Sequence, residues 1–97
     1  MAYDPGAIDA TLAAAVGDEP ALIAELREAF LDGAKRALAL LELAEDAAGW
    51  QMAAMRLKGL AASFGAVRLM AIAGEAAVAK PGDAVMLKKL KRAVERL

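Results

Sequence analysis

The chain has 97 residues, 60% of them apolar, with 13 acids against 12 bases and neither histidine nor cysteine. That length makes a single domain over 1–97, burying roughly 60–70% of the surface its unfolded form exposes, and the excess of alanine and leucine over β-branched and aromatic residues predicts an all-α fold. The missing cysteines exclude disulfides, thiolate metal sites and thiol nucleophiles.

Asp4-Pro5 sets an N-cap residue before a proline at the first helical position, and Ile8, Leu12, Ala15 and Val16 follow at helical spacing until Gly17, predicting a short first helix. Asp18-Glu19-Pro20 repeats the start signal. From there Leu22, Leu26, Phe30, Ala37, Leu41 and Ala44 mark a long second helix ending near Asp46. Gly33 weakens its middle by roughly 1 kcal/mol relative to alanine and is a candidate bend. A turn through Asp46-Ala47-Ala48-Gly49 leads into a third helix, in which Trp50, Ala54, Leu57, Ala61 and Phe64 step by four and three along one seam until Gly65 stops the run. Only Arg68 and Glu75 interrupt the apolar surface of the fourth helix, about Ala66 to Ala79, so that surface is expected to be almost wholly covered, by the rest of the fold or by a partner. Lys80-Pro81-Gly82-Asp83 is a turn ending in an N-cap; beyond it Leu87, Leu90, Val94 and Leu97 face inward and Lys88, Lys89, Lys91, Arg92 and Arg96 outward. Short connections make successive helices antiparallel, so the expected architecture is an up-down four-helix bundle with the first helix packed on it as a lid.

Charge is divided unevenly along this plan. Residues 1–50 carry ten acids and three bases, a formal −7, and residues 51–97 carry three acids and nine bases, a formal +6. An acidic and a basic helix lying near each other in the bundle account for this, and a basic docking face is the sharper reading. The basic last helix lacks aromatic interleaving and the chain is acidic overall, so neither nucleic acid nor a membrane surface is an expected partner. The N-terminus has no basic region followed by an apolar run, and no stretch of about 20 residues is free of charge, which gives the expectation of a soluble cytoplasmic protein.

The outer side of the third helix is unusual. Met55 lies about 140° from the seam at roughly 100° per residue, and Gln51, Lys58, Gly59 and Ala62 share its side. Ordinary solvent contact favours charge there, and a mid-helix glycine loses stability unless something approaches closely or the face packs on a neighbouring helix. Ala54-Met55-Arg56-Leu57-Lys58-Gly59-Leu60-Ala61-Ala62-Ser63-Phe64-Gly65-Ala66 resembles the histidine-phosphotransfer (HPt) signature A-H-x-L-K-G-x-A-x-x-x-G-A at every characteristic position except one. Met55 stands where that family carries its phosphorylated histidine. The likeness extends in pattern, not identity, over the second to fifth helices.

The resemblance implies a module of two-component phosphorelay signalling whose third-helix face docks on a response-regulator receiver domain or a histidine kinase. By the same resemblance Lys58 lies beside the phosphoryl position, Gly59 and Ala62 leave room for close approach, and Gln51, Arg56 and Arg68 complete the docking set. Phosphoryl transfer needs a neutral imidazole nitrogen, and a thioether has no transferable proton, so no relay activity is expected. The hydroxyls of Tyr3, Thr11 and Ser63 are no substitute. Two other readings stand beside this one: an inactive variant of a working phosphotransfer protein, and a structural bundle that forms a homodimer through the apolar fourth helix. Without a nucleophile and base pair, a Glu-x-x-His pattern or a glycine-rich phosphate loop, neither an enzyme nor a metal or other cofactor is expected.

Overall fold

The computed structural model describes residues 5–17 and 19–97, so Tyr3 and the start signals Asp4 and Asp18 lie outside the described residues. Five helices follow one another among them: α1 (Pro5–Val16), α2 (Pro20–Leu43), α3 (Ala47–Ser63), α4 (Val67–Ala77) and α5 (Ala84–Glu95). The fold is all-α. α2 packs on α3, α3 on α4, α4 on α5, and α5 returns to α2, while α1 packs on α2. The 24 residues of α2 make a rod of about 36 Å, which accounts for most of the 42 Å long axis.

α1 ends where expected, at Gly17, whose φ of +82° lies in the left-handed region that glycine reaches without strain. It is more than a lid, because Ile8 and Leu12 are buried in the common core. α2 starts with Pro20 in its first turn, but Glu19 supplies no side-chain cap.

The end of α2 differs from the expectation. Helix geometry stops at Leu43, Ala44 turns extended, and Asp46 belongs to the next element: its carboxylate accepts from the Gly49 amide at 2.7 Å. Residues 47–49 are therefore the first turn of α3 and not a loop, because the capped amide no longer needs a partner outside the helix. Gly33 does not interrupt α2. A Cβ there would lie 3.0 Å from Leu60 Cδ2, so the glycine admits the end of the Leu60 side chain between α2 and α3.

The α3 seam holds: Trp50, Ala54, Leu57 and Ala61 are buried, joined by Ala53. Phe64 caps the helix end half-buried and stacks on Phe30, with ring centroids 4.8 Å apart. Trp50 ties the start of α3 to the end of α4, its indole Nε1 donating to the Ala76 carbonyl at 2.7 Å in a buried setting. That bond satisfies the one polar atom of a large core side chain.

α4 is shorter than expected and less covered. Leu69, Ile72, Ala73 and Ala76 enter the core, but Ala71 is exposed and Val67 and Val78 are 65% and 87% accessible. Among the described elements this 11-residue helix has α3 and α5 as neighbours, which leaves Val67 and Val78 uncovered by them. α5 follows the expected pattern in part: Leu90 and Val94 are buried, whereas Leu87 and Leu97 are half-buried and Met86 and Ala93 take the inner positions beside them. Asp83 caps it by accepting from the Val85 and Met86 amides at 3.0 and 3.1 Å, and Met86, Leu90, Ala93 and Val94 are buried. No polar or charged residue is buried among the described residues, and none of the described helices is long and apolar enough to cross a membrane.

Candidate docking face

Burying Trp50, Ala54, Leu57 and Ala61 forces the opposite side of α3 outward. Gln51, Met55, Arg56, Gly59 and Ala62 are exposed, with Met55 at 49%. A Cβ built on Gly59 would meet nothing within 4 Å among the described residues, so no contact with them requires a glycine there. Ser63, one turn further on, bonds its hydroxyl back to the Gly59 carbonyl at 3.0 Å and is occupied by its own helix.

Lys58 is half-buried. Its methylenes run over α4 at Gly74, where a Cβ would lie 3.8 to 3.9 Å from the Lys58 Cε, Cδ and Nζ atoms. The lysine stem covers the small residue and leaves the ammonium at the α3–α4 edge of the face. Arg56 borders the opposite edge, where it lines a shallow groove of about 310 Å³ with Leu40, Leu43 and Met52.

Those three apolar residues were not part of the expected site. Met52 is 73% and Leu43 75% exposed, and Leu40 is also open. Met52 lies about 200° from Trp50 on the wheel, so its exposure was readable from the same register that exposes Met55. Leu43 lies about the same 200° from the buried Leu41, whereas nothing local distinguishes Leu40, which is nearer the α2 seam at Ala37 than the buried Leu38 is. Together Leu40 and Leu43 extend the α3 face onto α2 as a contiguous apolar patch of the kind that marks protein interaction surfaces.

Arg68 lies apart from this patch. It lines a different groove, of about 260 Å³ between α4 and α5, with Glu75, Lys89, Arg92 and Arg96. Elsewhere the chemistry is sparse: no three carboxylates come together as a metal site among the described residues.

No family model matches this chain, and neither a curated protein nor a solved structure matches it.

Proposed function

We propose that the chain is an HPt-like docking module of two-component phosphorelay signalling, an antiparallel up-down four-helix bundle with α1 packed against it. It binds a response-regulator receiver domain or a histidine kinase through the α3 face and carries no phosphoryl group itself. Gly59 is the observation that carries the reading: an exposed mid-helix glycine weakens α3 by about 0.5–1 kcal/mol relative to alanine, and open space around it leaves that loss without a return inside the fold. Close approach by a partner supplies the return. Met52, Met55, Leu40 and Leu43 give that partner apolar contact, methionine being suited to surfaces that must adapt. Lys58 and Arg56 edge the face with positive charge that complements a receiver's acidic pocket.

The chemistry is limited by position 55. A thioether sulfur there has no proton to give up and cannot form the phosphoramidate that an imidazole forms. A panel of receiver domains from the same genome, tested for binding by titration calorimetry, checks the docking. Gly59→Gln should weaken any binding found, by pushing the partner off the helix. Met55→His should add acid-labile phosphate uptake from a phosphorylated receiver that binds, reduced in Met55→His/Lys58→Ala. If no receiver and no kinase binds, the docking reading fails; if the histidine variant binds a receiver but takes no label, the face lacks relay geometry and binding alone survives.

The open side of α4, with Val67 and Val78 exposed, favours one second reading, a bundle that dimerises through that helix. An apolar dimer of this kind persists in high salt.

A further inference from the structure

Away from the α3 face, two exposed stripes on different helices carry charge. On α2, Glu25, Glu28 and Asp32 are all exposed, on the side opposite the buried Phe30, Ala37 and Leu41. On α5, Lys89, Arg92 and Arg96 are likewise exposed, and they form the wall of the 260 Å³ groove whose floor is Ala71, Ile72 and Ala93. Each stripe spans eight residues, about 10 Å, with Arg96 at the C-cap of α5. None of these six side chains is ion-paired with another described residue.

We propose that these stripes are the two halves of one interface, in which a second copy of this chain sets its α2 carboxylates against the α5 cations. The charge complementarity is internal to the sequence: residues 1–50 hold a formal −7 and residues 51–97 a formal +6. α2 and α5 are also packed side by side. A two-fold axis between two chains then brings each α2 against the other's α5, the isologous arrangement in which every contact is made twice. Ala71 and Ala93 leave room for a helix beside the cationic wall, in a groove where Glu75 is the single acid against four cations. A nucleic-acid partner is the poorer fit, because the acidic half of the same small domain repels phosphate and Trp50 and Phe30, the fully buried aromatics, offer no stacking surface. Exposed ion pairs contribute little singly and are screened by salt, so the dimer is weak and belongs to low ionic strength.

Sedimentation equilibrium of the whole chain tests this at about 0.5 mM protein in roughly 10 mM and 500 mM salt. The mass should approach twice the 10.0 kDa chain in low salt and fall back to one chain in high salt. Glu25→Lys/Glu28→Lys/Asp32→Lys and Lys89→Glu/Arg92→Glu/Arg96→Glu should each weaken self-association at least tenfold, while an equimolar mixture of the two restores a two-chain species. Glu19→Lys/Glu42→Lys/Glu45→Lys makes the same change in net charge away from the α2 stripe and should still dimerise. Circular dichroism confirms that each variant is folded, and the single changes Glu28→Lys and Arg92→Glu repeat the test should a triple variant unfold. A chain that stays single in low salt overturns the proposal. So does a dimer that survives high salt, or a loss of dimer in the control variant equal to that in the stripe variants.

Discussion

Replacing Gly59 by alanine should make the protein more stable. Alanine in a helix interior is favoured over glycine by about 0.5–1 kcal/mol, because glycine loses more backbone freedom on folding. The full gain is available only where the added methyl meets no obstacle, and at 59 no described residue lies within 4 Å of it. A domain of this length gains about 4–8 °C in Tm per kcal/mol, so the expected rise is roughly 2–8 °C. Two other helical glycines provide the comparison. At Gly74 the methyl would touch the Lys58 stem at 3.8 Å, an ordinary contact, and the gain should be similar. At Gly33 it would meet Leu60 Cδ2 at 3.0 Å, and moving a half-buried leucine off its rotamer costs of order 0.5–1.5 kcal/mol, enough to cancel the helix gain. Thermal and urea unfolding of the three alanine variants, followed by circular dichroism, should rank 59 and 74 together above 33. A flat or lowered Tm for Gly59→Ala, with a clear rise for Gly33→Ala, would refute the packing argument on which the docking face depends.

Trp50→Phe removes the buried bond to the Ala76 carbonyl and part of a large core side chain, and should lower stability by about 1–3 kcal/mol in urea unfolding. The carbonyl still accepts from the Ala79 amide at 3.1 Å, which keeps the loss from being larger. Asp46→Ala and Asp83→Ala each delete an N-cap and should destabilise by about 0.5–2 kcal/mol, with Asp46→Asn and Asp83→Asn restoring most of it. Incubation with a phosphorylated receiver, or with an active histidine kinase and ATP, should leave no acid-labile phosphate on the wild-type chain; a label that survives base and is lost in acid would contradict the chemistry assigned to position 55.

The parts of this structure that were legible in the sequence are those set by local periodicity. Trp50, Ala54, Leu57 and Ala61 define a seam at spacing four and three, and once that seam is buried the exposure of Met55, Gly59 and Ala62 follows from geometry. Asp83 was legible as a cap for the same reason, since its signal lies within one turn. The α2–α3 boundary was harder because Asp46 serves equally well as the end of one helix and the start of the next, and the apolar run through Leu43 and Ala44 gives no stop. What decides it is the extended backbone at Ala44 together with the 2.7 Å carboxylate bond to Gly49. Contacts between distant residues had no local signal at all. Gly33 looked like a bend because its partner Leu60 lies on another helix, and the nearly continuous apolar surface of α4 gave no indication that Val67 and Val78 would remain open.

The proposed docking would place demands on α3 opposite to those of the fold, and the two sides of the helix would divide them. The inner side is fully apolar and every large side chain on it is covered, with the single polar atom of Trp50 satisfied by Ala76. Removing any of those groups leaves a cavity, and losing the indole also deletes one of the bonds to the Ala76 carbonyl, so the inner side tolerates little change. The outer side holds residues whose removal the fold would barely register: two exposed methionines, an exposed alanine and a glycine with open space around it. Bare stability favours alanine at 59 and charged residues at 52 and 55, each a single substitution away in physical effect. The outer side departs from that optimum in one coherent direction, toward a smooth apolar strip edged by Lys58 and Arg56. Measuring stability and partner binding on the same Gly59 variants separates the two demands. Stability should rise with alanine, whereas binding should fall as the side chain grows from glycine to alanine to glutamine. If binding instead tracks stability, the glycine has no docking role and the α3 face is merely the uncovered back of a helix.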